Sequence, residues 1–163
     1  MQNQTETVHP TPRPRVTVAS VIEQEGRFLV VEERPETGGL VFNQPAGHLE
    51  GGETLLEAAA RETFEETGWR FTPEFLVGVY LWAHPNGQIS YLRVCFGGSV
   101  HDYEPDSPLD EGIERAVWLS RNELQAESKR LRSPLVLAVI DDYLAGERYP
   151  LSLLKSFLAK AGA

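Results

Sequence analysis

Glu62, Glu65 and Glu66 stand at i, i+3 and i+4 of a segment whose pattern predicts a helix, so their carboxylates share one face. They fall in its last turns, just before Gly68, a natural helix stop, where the macrodipole disfavours negative charge. Each like-charge pair costs a few tenths of a kcal/mol, about 0.2–0.5. A sequence that breaks a local preference without local compensation marks a candidate functional site. Three convergent carboxylates supply the hard oxygen ligands that a cation such as Mg²⁺ takes. On charge alone, a run of acids on a helix reads more simply as a solvated face, so the surroundings must decide.

Those surroundings are strands and turns. Val16 to Ile22 and Phe28 to Glu33 are β-branched and apolar and are joined through Glu25-Gly26, which predicts a hairpin. Arg34 to Gly39 reads as a loop, and Val41 to Gln44 as a short strand leading to Pro45-Ala46-Gly47. The acid-bearing helix is expected from Glu53 to Thr67. Leu56, Ala60, Thr63, Phe64 and Thr67 fall opposite the acids at 100° per residue, which predicts an apolar face packed on a sheet. Phe75 to Trp82 and Ile89 to Gly97 read as strands around a Pro85-Asn86-Gly87 turn, and Arg115 to Leu119 as a last strand. Ser120 is placed to cap a short helix through Ala126. Ser133 before Pro134 looks like a cap with proline at the first helical position of a helix to Leu144. A third short helix is expected over 151–161. Strands and helices mixed in this order predict an α/β protein, a central mixed sheet flanked by helices.

The totals bound the possibilities. At 163 residues and 41% hydrophobic, the chain suits one domain with a real core, expected over residues 15–163 behind a polar, proline-bearing tail at 1–14. The net charge of −9 argues against generic nucleic-acid binding, which wants a basic surface. It leaves room for a small phosphorylated substrate, because a bound cation inverts the local charge. A single cysteine, Cys95, permits no internal disulfide and reads as a core residue. The start lacks the basic region and apolar run of a signal peptide, and Leu135 to Ile140 is too short to span a bilayer. A cytoplasmic protein with no membrane partner is the expectation.

Gly47, five residues, Glu53, seven residues, then Arg61-Glu62-Thr63-Phe64-Glu65-Glu66-Thr67-Gly68-Trp69 resembles the signature of the Nudix hydrolases. Gly47, Glu53, Arg61, Glu62, Glu65, Glu66 and Gly68 all occupy that signature's fixed positions. Thr63 departs from it, standing where the family has a bulky aliphatic residue, and predicts weaker packing with no loss of chemistry. Beyond the signature, Asn43-Gln44-Pro45-Ala46-Gly47-His48-Leu49-Glu50, Leu131-Arg132-Ser133-Pro134 and Arg148-Tyr149-Pro150-Leu151 are similar to the NudJ-type phosphatases within this superfamily. The resemblance implies a Nudix α/β/α sandwich and Mg²⁺-dependent hydrolysis of nucleoside tri- and diphosphates, with Mn²⁺ as a substitute cation and hydroxymethylpyrimidine pyrophosphate as a further substrate. It also implies Glu65, Glu66 and the Gly47 carbonyl as metal ligands. Glu62 is implied either as a ligand or as the group that orients the attacking water. Glu53 and Arg61 are implied as the pair tying loop to helix, with an outer-ligand role for Glu53 left open.

The chemistry agrees with that implication. A phosphoanhydride is shielded by negative oxygens, so hydrolysis needs charge neutralisation and a positioned water, and Mg²⁺ held by the three acids serves both needs. Arg61 suits a bidentate grip on a carboxylate, although Glu57 at i−4 offers it a plain surface ion pair instead. Near the last strand, Glu114 is the first choice for a further acid and Asp110 the second; both also read as solvated loop residues. Arg93 is placed to grip a phosphate, and Phe42, Tyr80 and Trp82 to stack on a ring, against a plain reading of strand surface and core. Asn43 and Gln44 are candidates to read base edges, and Arg132 to contact substrate.

Three functions compete. The first is the phosphate-releasing hydrolase. The second keeps the chemistry but cleaves ADP-ribose or another nucleotide conjugate, a reading prompted by Pro85 and weakened by the turn that already accounts for it. The third is a nucleotide-binding module without turnover, disfavoured because every signature acid is present. Monomer and homodimer are both open.

Overall fold

The computed structural model describes residues 13–158. The expected tail falls, for residues 1–12, outside the described residues. Two four-stranded sheets form the centre, where the sequence predicts a single one. The first is mixed: β1 (Arg15–Val21) lies between β5 (Ala46–His48), antiparallel to it, and β7 (Ser90–His101), parallel to it, and β6 (Arg70–Ala83) pairs antiparallel with β7 at the edge. The second is antiparallel and built on β3 (Arg27–Glu33). β8 (Ile113–Ser120) runs along β3, while β2 (Glu23–Gln24) and β4 (Val41–Asn43) pair with opposite ends of it.

The first predicted hairpin changes partners. Its turn is where the sequence puts it, with Glu25 and Gly26 both at positive φ (52° and 77°), the conformation of a two-residue type I′ loop. The strand entering the turn is the two-residue β2, however, and β1 belongs to the other sheet. A two-residue loop fixes only the register of its immediate flanks, so β1 is free to leave after Ile22. The β6 and β7 strands run well past their predicted ends, registering from Arg70↔His101 to Ala83↔Ser90.

Alternation along β1 divides the core between two faces. Val18 joins Ile22, Leu29, Ala58, Ala59, Phe71, Leu76, Val94 and Phe96, the cluster under α1 (Leu55–Thr67). Ala19 and Val21 join Phe28, Val30, Phe42, Val77, Cys95 and the buried side of α3 (Leu135–Leu144), with Leu124 of α2 (Arg121–Ala126). The result is helix, sheets, helix. Cys95 lies buried there as read, and burial pushes its thiol up to about 12, which makes it unreactive.

Helix ends differ from the sequence reading by a few residues. Ser120 caps α2 as expected, in a reciprocal box with Glu123. Pro134 occupies the cap position of α3 itself, and the Ser133 hydroxyl accepts from the Leu135 N–H at 3.2 Å. Of the third predicted helix, only a 3₁₀ turn at Leu151–Leu153 forms; residues 159–161 of that expectation lie outside the described residues. Among the described residues no helix is long and apolar enough to cross a membrane.

Candidate active site

The acid-bearing helix begins at Leu55, two residues later than the spacing predicts, because Thr54 caps it. The Thr54 hydroxyl accepts from Glu57 N–H (3.2 Å) and the Glu57 carboxylate accepts from Thr54 N–H (2.7 Å). Such a box stabilises a helix by about 1 kcal/mol. It also engages Glu57, so the i, i+4 pair with Arg61 does not form. Gly68 ends the helix in the left-handed conformation (φ 74°), its N–H donating to the Phe64 carbonyl.

The buried face of α1 overlaps only in part with the one that apolar spacing predicts, sharing Thr63 and Thr67. Ala58, Ala59, Glu62, Thr63, Glu66 and Thr67 are buried, while Leu56, Ala60 and Phe64 are only partly so. Two acids thus lie on the packed side. Ala58 and Ala59 let the backbone approach the sheets, and the β4–β5 segment covers Glu62 and Glu66. Gly47 makes this cover fit: a Cβ at that position would overlap the Glu62 carboxylate. Ala46 N–H donates to Glu66 Oε2 at 2.9 Å. Thr63, at the departure from the signature, is fully buried. Its hydroxyl shares a 2.7 Å hydrogen bond with Ser20 and lies 2.8 Å from the Ala59 carbonyl, so a polar contact between helix and β1 replaces aliphatic packing.

One guanidinium serves most of the acids. Arg61 grips Glu53 with two hydrogen bonds (2.9 and 2.7 Å) and reaches Glu62 (2.8 Å), Glu65 (3.1 Å) and the His48 carbonyl (3.1 Å). The Glu53 carboxylate in turn accepts Glu50 N–H at 2.8 Å, which closes the loop onto the helix. Arg61 holds the Glu53 carboxyl below its usual range, and Glu53 raises Arg61 in return. Glu62 and Glu66 move the other way. Burial pushes Glu62 up against the pull of Arg61, and burial pushes Glu66 well up against its one backbone hydrogen bond. Glu33, Glu62 and Asp110 add like charge around Glu66.

Asp110 completes the cluster. One carboxylate oxygen each from Glu62, Glu65 and Asp110 lies within 4.8 Å of the others. The backbone delivers it. The last carbonyls of a helix lack internal partners, and here Asp110 N–H donates to Glu65 O (2.9 Å) and Glu104 N–H to Gly68 O (2.9 Å). The loop before β8 is pinned on the helix end, and Asp110 with it. Glu114, preferred from sequence, lies 4.0 Å from Arg34 with a 56% exposed side chain and does not join. A tight turn, with Ile113 N–H donating to Asp110 O and Gly112 at φ 87°, separates the two.

The remaining candidates divide. Asn43, Arg93 and Arg132 form a polar chain: Asn43 accepts from Arg93 (3.3 Å) and donates to Glu33 (3.2 Å), and Arg132 Nε lies 3.7 Å from Glu33. Glu33 joins this chain without having been singled out from sequence. Trp82 and Arg132 line a common cleft. Phe42 and Gln44 are buried instead. Phe42 sits in the core under Arg130, and Gln44 donates to the Val136 carbonyl at 2.7 Å. Tyr80 packs on the core and donates to Asp142 at 2.7 Å.

Among the described residues, the acids thus gather as oxygen donors around a spot with one arginine for Glu50, Glu53, Glu62 and Glu65, and no side-chain cation for Glu66. Burying carboxylates without enough positive charge is costly unless a cation completes the site. The donor set therefore fits a divalent metal, with hard oxygens and the Gly47 backbone against them.

The NUDIX domain model matches residues 11–138, most of the chain. The chain therefore belongs to the Nudix family and is a hydrolase of that family. It is 43% identical over 145 residues to phosphatase NudJ of Escherichia coli K12, covering 89% of this chain and 93% of that protein. Among solved structures it is similar to a NUDIX hydrolase from Nitrosomonas europaea, at 48% identity with a TM-score of 0.87 over 89% of this chain and 98% of that one. A MutT protein from Methanosarcina mazei shares the fold at 20% identity, with a TM-score of 0.68 over 85% of this chain and 99% of that one.

Proposed function

We propose that the protein hydrolyses phosphoanhydride bonds of nucleoside tri- and diphosphates, and of hydroxymethylpyrimidine pyrophosphate, with Mg²⁺ bound by Glu62, Glu65 and Asp110 and with Glu66 and the Gly47 carbonyl beside them. The observation that carries the reading is the convergence of those carboxylates, two of them buried, around too little positive charge. The similarity to phosphatase NudJ supports release of phosphate over release of a nucleotide half. When bound, the metal supplies charge neutralisation of the phosphate oxygens and an acidified water.

The protein's own groups have separable tasks in this reading. Arg61 holds Glu53, Glu62 and Glu65 in one arrangement, so the ligands are set before substrate arrives. Glu62, held by Arg61 at 2.8 Å, is placed to bind the metal or to orient the attacking water. Arg93 and Arg132, linked to each other through Asn43 and Glu33, serve the phosphate chain.

The test is incubation with Mg²⁺ and ATP, GDP, ADP-ribose or hydroxymethylpyrimidine pyrophosphate, with products identified by mass. Orthophosphate from nucleotides or the pyrimidine pyrophosphate is expected. AMP from ADP-ribose alone would keep the Nudix chemistry and overturn the substrate reading.

A further inference from the structure

Residues 102–112 join β7 to β8 and carry Asp110 to the end of α1, where the carbonyls of Gly68 and Glu65 accept from Glu104 N–H and Asp110 N–H. Backbone hydrogen bonds of this kind hold a loop only modestly, because water competes for the same groups. A carboxylate that shares a cation with Glu62 and Glu65 needs placing to within about 0.5 Å. We propose that the stack of Tyr103 on Trp69 clamps this loop to α1, and that Tyr103 is thereby a positioning residue for the Asp110 carboxylate. The proposal rests on the reading of Glu62, Glu65 and Asp110 as metal ligands and adds the side chains that set the third of them.

The stack spans the joint between helix and loop. The Trp69 and Tyr103 ring centroids lie 4.6 Å apart, with 23° between the planes. Trp69 directly follows the helix stop and packs on the buried cluster under α1, so it moves with the helix. Tyr103 directly precedes Glu104 and is half exposed, so it belongs to the loop. Gly68 leaves room for the close approach: a Cβ there would come within 2.8 Å of the Glu104 carbonyl oxygen and 3.4 Å of the Tyr103 ring. Arg70 lies over the Phe64 ring at 3.9 Å and donates to Glu104 at 2.7 Å across the same joint. That ion pair is half exposed and screened by salt, so the aromatic stack is the firmer hold.

The chain leaving β7 is already aimed at Trp69. Asp102 adopts the left-handed conformation (φ 45°), which is uncommon for a residue with a Cβ. His101 Nδ1–H donates to the Asp102 carboxylate at 2.9 Å, which leaves Nε2 to accept from the Thr72 hydroxyl at 3.0 Å. This chain of bonds fixes the turn just before Tyr103. Beyond it, Ser107 N–H donates to the Glu104 carbonyl at 3.1 Å and tightens the stretch that leads to Asp110. A ligand carried on a reversible dock serves in proportion to the docked fraction, so metal affinity falls with that fraction. By linkage, a bound metal tightens the dock in return.

The test begins without metal. Amide hydrogen exchange in chelator, followed by NMR, is expected to speed up about five- to tenfold at Glu104 and Asp110 in Tyr103→Ala, the size of one aromatic stack. The amides of Ala59 and Thr63, inside α1, should stay at the wild-type rate. Calorimetric titration with Mn²⁺ should show affinity reduced by about threefold or more in Tyr103→Ala. That loss should vanish in an Asp110→Asn background, where the dock no longer delivers a carboxylate. Tyr103→Phe keeps the ring and should match the wild type in both measurements. Unchanged exchange at Asp110, faster exchange spread through α1, or an equal affinity loss in the Asp110→Asn background overturns the clamp. If the wild type takes up no Mn²⁺, the metal reading fails instead. Exchange at Glu104 and Asp110 then decides alone, with acceleration confined to the loop supporting the clamp and unchanged rates overturning it.

Discussion

Two buried glutamates, one on β3 and one on α1, meet opposite fates. Glu32 on β3 lies between Arg115, whose Nε donates at 2.7 Å, and Arg130, whose guanidinium also bonds it. Glu66 on α1 has, among the described residues, one backbone N–H and no cation. Both are nearly excluded from solvent, at 5% and 6% exposure. Arg115 and Arg130 hold the Glu32 carboxyl below its ordinary value, while burial drives Glu66 well above it. The difference distinguishes an acid that the fold has neutralised from one left for something else to neutralise. The first is an ordinary part of the structure. The second is unfavourable in the isolated chain and becomes reasonable once a cation arrives.

The largest effects should separate the two in opposite directions. Glu65→Gln or Glu66→Gln should lower kcat by at least about 10²-fold, as loss of metal-held charge stabilisation does, with thermal stability in chelator unchanged or raised. Glu32→Gln should do the reverse. It takes the shared charge from Arg115 and Arg130, the latter keeping Glu127, at a cost of about 1–3 kcal/mol, discounted for their exposure, and keeps kcat per folded molecule within about twofold. Urea unfolding alongside steady-state kinetics reads both. A kcat near wild type in either signature variant would mean that its carboxylate is not a ligand.

Acidity sharpens the same contrast. Glu62 and Glu66 have folded-state values above 4.5, so the native chain binds more protons than the unfolded one once pH passes 4.5. Their contribution to metal-free stability is therefore lost as pH rises through the raised values. Glu32 and Glu53 are lowered, so their contribution is present above 4.5 and is lost as pH falls through the lowered values. The melting midpoint in chelator should decline from mildly acidic to alkaline pH. Glu66→Gln should flatten that decline and gain most at the alkaline end. A variant as steep as wild type would place the unbalanced charge elsewhere.

Asp110 and Glu114 provide a smaller version of the comparison within one loop. Asp110→Asn should raise the Mg²⁺ concentration for half-maximal activity about tenfold, and Glu114→Gln should leave it within about twofold. Equal effects would return Glu114 to the site. The smallest expected change is Thr63→Val, which keeps the shape but strands the Ser20 hydroxyl, at about 1 kcal/mol by urea unfolding, with catalysis intact.

What the sequence made legible follows local chemistry. Gly47, Glu53, Arg61, Glu62, Glu65 and Glu66 sit within one helix and the loop before it; periodicity places the three acids on one face, and the resemblance to the Nudix signature implies the rest. The Glu53–Arg61 pair, the Gly68 stop and the Ser120 cap are short-range features of this kind, and each is present as read. The misses are long-range. Nothing within Val16 to Ile22 says that its neighbours are β5 and β7 and not the strand across the turn. Apolar spacing placed the buried face of α1 opposite the acids, because no local rule allows for a loop with a bare glycine folding over two carboxylates. Asp110 lies far along the chain from Glu65, and only the unpaired helix-end carbonyl that its N–H satisfies brings it in. The aromatic candidates split for the same reason. Phe42 is buried in the core and the Tyr80 hydroxyl is tied to Asp142, while Trp82, packed on the same core as Tyr80, lines the cleft.

The central claim is that the α1 acids are an unfilled charge requirement. The direct measurement is the thermal midpoint of the wild-type chain at mildly alkaline pH, in chelator and in saturating Mg²⁺, beside a Glu65→Gln, Glu66→Gln double variant. The account predicts a rise of several degrees for the wild type, since about 1 kcal/mol of linkage moves a domain of this size by roughly 2–4 °C, and almost none for the double variant. No Mg²⁺ response in the wild type, or the same response in both proteins, would contradict it.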